Sequence, residues 1–98
     1  MKLNEIVDQI FDIATELEYN RISYSHPLLV LTQKKPRPAN LLSSIAAPLQ
    51  RDLTNDIPID NGTITVALKQ LKKIAKEYRI QELREPIRNL ESYLVDLG

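Results

Sequence analysis

A chain of 98 residues, 43% hydrophobic and 27% charged, has the composition of an ordinary globular domain and excludes a disordered one. Its longest uninterrupted apolar run, Leu28-Leu29-Val30-Leu31, falls far short of the roughly 20 residues a membrane helix needs. Lysine plus arginine balance aspartate plus glutamate at 13 each, no cysteine is present for disulfide or thiolate chemistry, and two glycines leave no material for a glycine-rich phosphate loop.

The zero net charge conceals a segregation along the chain. Residues 1–20 carry one lysine against five acids, a net of −4, whereas 21–51 carry five cations and no acid. Residues 69–79 hold five cations and one acid, a net of +4. Two meanings are open: acidic and basic elements neutralise each other on the folded surface, or one of them forms a patch for a partner.

In the first stretch Leu3, Ile6, Val7, Ile10, Ile13, Ala14 and Leu17 recur at three- and four-residue spacings, which predicts a helix with one apolar stripe. Its other face shows Glu5, Asp8, Asp12 and Glu16. Solvation is the ordinary use of such a ridge, because metal binding or acid–base work needs converging ligands or desolvation. Asp8 and Asp12 also break any signal-peptide pattern, which points to a cytoplasmic chain.

Residues Ser23 to Gln33 suit a short helix, opened by Pro27 behind a capping Ser25, but Leu28 to Leu31 suits a buried strand as well. The helix is preferred. Lys34-Lys35-Pro36-Arg37-Pro38 then reads as a cationic loop, since its prolines remove donors and restrict the residues before them.

A further helix is expected from Asn40 as N-cap through Leu41, Leu42, Ile45, Ala46, Leu49 and Leu53, with Pro48 kinking it or dividing it in two. Ile57-Pro58-Ile59 reads as an extended linker and Asp60-Asn61-Gly62 as a turn. From Thr63 to Tyr78, Ile64, Ala67, Leu68, Leu71, Ile74, Ala75 and Tyr78 form the clearest helical stripe in the chain. Opposite it Lys69, Lys72, Lys73 and Lys76 share about 100° of arc and make a basic face.

Ile80, Leu83, Ile87, Leu90, Leu94 and Leu97 then alternate steps of three and four, the pattern of a narrow seam. That stripe is out of phase with the preceding one by roughly 130°, so the chain must break or bend between Arg79 and Pro86. The seam serves either an antiparallel neighbour within the chain or a homodimer. Together these elements predict a single all-α domain over residues 1–98, a small antiparallel four- to five-helix bundle.

Catalytic material is sparse. His26 is the sole histidine, and neither G-x-S-x-G, a P-loop nor H-E-x-x-H occurs, so a non-enzymatic chain without metal or cofactor is expected. Lys69, Lys72, Lys73 and Lys76, with Lys34, Lys35 and Arg37, are the candidate partner-binding residues. They suit an acidic protein surface or, as a nucleic-acid accessory, phosphates; the Lys69–Lys76 face, with neither arginine nor asparagine on it, would read backbone charge and not base edges.

The order of elements, an acidic first helix, a short second one, then Leu41-Leu42-Ser43-Ser44-Ile45-Ala46-Ala47-Pro48-Leu49 leading through Ile57-x-Ile59 into the Ile64–Tyr78 helix, resembles the small bacteriocin immunity proteins of lactic acid bacteria and streptococci. The likeness covers Leu3 to Tyr78, and Ile80 to Leu97 adds a well-formed helix. It implies an antiparallel four-helix bundle in the cytoplasm that protects the producer cell by engaging a membrane receptor–bacteriocin complex. The expected function is therefore a protein-binding bundle, with a nucleic-acid accessory and a homodimeric interaction module as alternatives, and a monomer or homodimer as the expected state.

Overall fold

The computed structural model describes residues 2–19, 21–22, 24 and 37–97, the Leu97 side chain excepted. Its regular elements are α1 (Leu3–Glu18), α2 (Pro38–Thr54), α3 (Asn61–Tyr78), a 3-10 turn at Gln81–Leu83 and α4 (Arg84–Leu97), with no strand among the described residues. The all-α expectation holds. Apart from Tyr24, the Ser23–Gln33 stretch lies outside the described residues.

Helix α1 buries Leu3, Ile6, Val7, Ile10, Ala14 and Leu17, the stripe its sequence spacing dictates. In α2 two expectations need correcting. The helix starts at Pro38 and not after Asn40, with Arg37 in the N-cap position and no side-chain cap. Proline suits the first turn because its missing N–H would lack an intrahelical acceptor there anyway. Pro48, expected to kink or split the element, lies inside one continuous helix. A mid-helix proline costs about 3 kcal/mol. Leu42, Ala46 and Leu49, buried on either side of it, offset that cost, while Pro48 is exposed and its ring displaces no core side chain. The α2 end is closed by Ile57 N–H donating to the Asp52 carbonyl at 2.8 Å, with Asp56 in the left-handed region at φ 54°.

Asp60-Asn61-Gly62 is not a free turn but the start of α3. The Asp60 carboxylate accepts the Thr63 backbone N–H at 2.7 Å, and Asn61 and Gly62 are already helical. This bond to Thr63 is the main reason the Asp60 pKa lies below its ordinary value. The cap is therefore fully effective above the ordinary carboxylate range and is lost as pH falls through the lowered pKa. Asp60→Ala is expected to lower the thermal midpoint at pH 7 and to narrow its difference from the wild type in strong acid. Asp60→Asn, which keeps an acceptor, should retain most of the midpoint; calorimetry at the two pH values checks both.

Helix α3 ends at Arg79, left-handed at φ 54° and ψ 50°, and the chain turns through an extended Ile80 into the 3-10 turn. The break expected between Arg79 and Pro86 is thus present. The seam from Ile80 is, however, not one helix: α4 begins only at Arg84, and Pro86 sits buried in its first turn. Ile80, Leu83 and Leu90 are buried in the core, with Ile87 and Leu94 packed against it.

Helix α1 lies against α2 and α4, α3 lies against the same two, and no Cα of α1 comes within 8 Å of one in α3. The four helices form a ring with α1 and α3 at opposite corners. The ring is closed by α1 and α4, where the Asn89 amide donates to the Gln9 side-chain carbonyl at 3.0 Å. No charged side chain is buried among the described residues. Tyr78, 1% exposed, meets the Tyr24 ring edge-on at a centroid distance of 6.2 Å.

Candidate functional site

The cations predicted as one face are divided by the fold. Lys69, Lys72, Lys73 and Lys76 are all exposed on α3, but α3 is flanked by two grooves, and Lys72, Lys73 and Lys76 are divided between them. Lys73 lies toward α2 in a depression with Leu41, Ile45, Ile74 and Glu77, and its ammonium stands 4.0 Å from the Glu77 carboxylate one turn on. Lys72 and Lys76 line the opposite groove, toward α4.

That second groove is a depression of about 420 Å³ at the corner where α3, the 3-10 turn and α4 meet. Its rim carries Lys72, Lys76, Arg79 and Arg84, the half-buried Ala75 and Ile87 supply apolar surface, and the buried Ile80 lies at its floor. No acidic side chain is among the residues that line it. Arg79 and Arg84 escaped the reading of the sequence. Both are placed by the helix break: Arg79 by the left-handed cap that ends α3, Arg84 by the 3-10 turn that sets where α4 begins. A signal for Arg79 was present, since it continues Lys69, Lys72 and Lys76 by a further step of three. Arg84 had none, because its approach to α3 depends on the bend.

Electrostatically the corner is only partly compensated. Lys72 pairs with Glu91 of α4 at 3.5 Å across two half-exposed side chains, a contact worth about 0–1 kcal/mol in water. Lys69, Lys76, Arg79 and Arg84 make no ion pair among the described residues. On the acidic side, Glu5, Asp8 and Asp12 likewise make none among the described residues, and Glu16 pairs with Arg21 at 3.4 Å. The acidic and basic helices do not neutralise each other. Their placement at opposite corners of the ring is the physical reason.

Lys34 and Lys35 lie outside the described residues, as does His26. Arg37 is described, and it belongs elsewhere: it lines a depression with Leu17, Glu18, Tyr24, Pro38, Ala39 and Asn40 at the end of α1. Among the described residues no group of three or more His, Cys, Asp or Glu side chains is placed to hold a metal ion. Among the described residues no helix is long and apolar enough to cross a membrane. Comparison with protein-family models, with curated proteins and with solved structures finds no match.

Proposed function

We propose that this chain is a non-enzymatic, cytoplasmic binding protein, an antiparallel four-helix bundle that engages another protein at its α3–α4 corner in the manner of a bacteriocin immunity protein. One observation carries the reading: Lys72, Lys76, Arg79 and Arg84 converge on a single depression that also has apolar walls. Such a corner matches a partner segment carrying carboxylates beside one apolar side chain. Guanidinium groups bind carboxylates bidentately, and the half-buried Ala75 and Ile87 give the apolar side chain a surface to cover. The resemblance over Leu3 to Tyr78 makes immunity the most concrete form of that binding.

The test is protection. If a bacteriocin gene adjoins this one, a strain sensitive to its product and made to express the chain should survive it. Expression of Lys76→Glu with Arg84→Glu should not protect, because reversing charges on the rim costs at least about tenfold in affinity. The double variant must keep the helical circular dichroism of the wild type. Absence of protection by the wild-type chain would overturn the immunity reading. A purified chain that binds duplex DNA at about 50 mM salt, with affinity falling steeply as salt rises, would move the corner to phosphates and the nucleic-acid alternative.

A further inference from the structure

The corner has a complementary surface on the same molecule, turned away from it. Along α3 the cations Lys69, Lys72 and Lys76 advance by steps of three and four, a ladder about 10 Å long at 1.5 Å per residue, with Arg79 beyond it in the left-handed cap that ends the helix. On α1, Glu5, Asp8, Asp12 and Glu16 advance by three, four and four, a ridge of about 16 Å. Both lines advance by steps of three and four along one helix face, and they are opposite in sign. Glu5, Asp8 and Asp12 are exposed and Glu16 half-buried, and all four cations are exposed. Since α1 and α3 stand at opposite corners of the ring, one copy cannot bring its own ridge onto its own ladder. A net charge of zero means that two copies are not held apart by long-range repulsion.

We propose that copies of this chain associate head to tail, the acidic ridge of α1 in one copy seated along the Lys69–Lys76 ladder of the next. Because the surfaces lie on opposite corners, a two-fold dimer cannot satisfy both at once. The contact is heterologous, so copies add head to tail beyond two, into a ring or an open chain. It is also weak and salt-sensitive, since it is made between exposed charges. The inference is independent of the function proposed above, although a copy seated on the ladder would compete with a partner for Lys72 and Lys76.

Sedimentation equilibrium of the full chain tests it. At about 20 mM salt, where charges act over roughly 20 Å, the weight-average mass should climb with concentration to more than twice the monomer mass. At about 0.5 M salt, where that range falls to roughly 4 Å, it should return to the monomer. A monomer at every concentration in low salt overturns the proposal, and so does a mass that stops at a salt-insensitive dimer. Asp8→Lys with Asp12→Lys, and Lys69→Glu with Lys76→Glu, should each abolish association, and an equimolar mixture of the two should restore it. Association by either variant alone, or none in the mixture while both keep the wild-type circular dichroism, overturns the proposed pairing. Should a reversal unfold the chain, Asp8→Asn with Asp12→Asn and Lys69→Gln with Lys76→Gln must each weaken association. Failure of both milder pairs to do so overturns it equally. None of these outcomes bears on protection against a bacteriocin.

Discussion

Leu90→Ala is expected to destabilise the chain by about 2–5 kcal/mol, read as a lowered midpoint in urea with an unchanged slope. Leu90 is fully buried and projects from α4 into the core shared with α1 and α3. Removing its branched end forfeits the transfer free energy of the lost methyl groups and leaves a cavity that a close-packed interior collapses around only in part. A domain of this size is held by about 5–15 kcal/mol in total, so the variant forfeits a large fraction of its stability. Val95→Ala, in the same helix but 76% exposed, should change stability by less than about 0.5 kcal/mol. The contrast separates a packing role for α4 from its helix propensity. Equal effects at the two positions would show that α4 is not docked as described.

Tyr78→Ala should have an effect of similar or greater size, about 3–5 kcal/mol, because it removes the largest fully buried side chain together with its edge-on contact to Tyr24. The residue also sets a pH dependence. Burial, and secondarily the Glu77 carboxylate, push the Tyr78 phenol above its ordinary pKa of 10.0. The folded chain therefore keeps that proton to higher pH than the unfolded chain does. Stability is unaffected below about pH 10 and falls as pH rises beyond it, since only the unfolded state then ionises freely. Tyr78→Phe keeps the ring in place and should flatten the part of the alkaline fall that belongs to this phenol. Urea denaturation at pH 7, 10 and 11 distinguishes the variants, and an unchanged alkaline fall in Tyr78→Phe would assign it to other groups.

The helices were legible in the sequence because each buries a stripe against a shared core, and a stripe leaves a period that can be read one residue at a time. Ile64, Leu71 and Tyr78 in α3, and Ile6 and Ile10 in α1, lie where the spacing puts them. Starts and stops were read less well, because they depend on competition between local signals. Asp60-Asn61-Gly62 carries the composition of a turn, but Thr63 offers its N–H to Asp60, which caps the helix, and the helix claims Asn61 and Gly62. Pro48 breaks an isolated helix; in the folded chain the burial of Leu42, Ala46 and Leu49 outweighs it. The candidate site was half legible. Lys72 and Lys76 share a visible face with Lys69 and Lys73, but a helical projection cannot tell which flank of that face a neighbouring helix will meet. Arg84 joins the rim only because Arg79 takes a left-handed conformation and the chain doubles back.

The hydrogen bond between Gln9 and Asn89 spans eighty positions of sequence and has a consequence for the order of events during synthesis. Helix α2 packs on α1 across the connection 19–37 and α3 packs on α2 across 55–60, and the entropy of closing a loop grows only slowly with its length. The contact of α1 with α4 needs nearly the whole chain, so it forms only once α4 has left the ribosome. Until then the faces of α1 and α3 that α4 will cover stand open, with no side chain yet in the place of Leu83 and Leu90. A nascent chain at that stage exposes more apolar surface than the finished protein does. The interval between completing α3 and docking α4 is accordingly when this protein is most vulnerable to misassembly and proteolysis, and most in need of a chaperone.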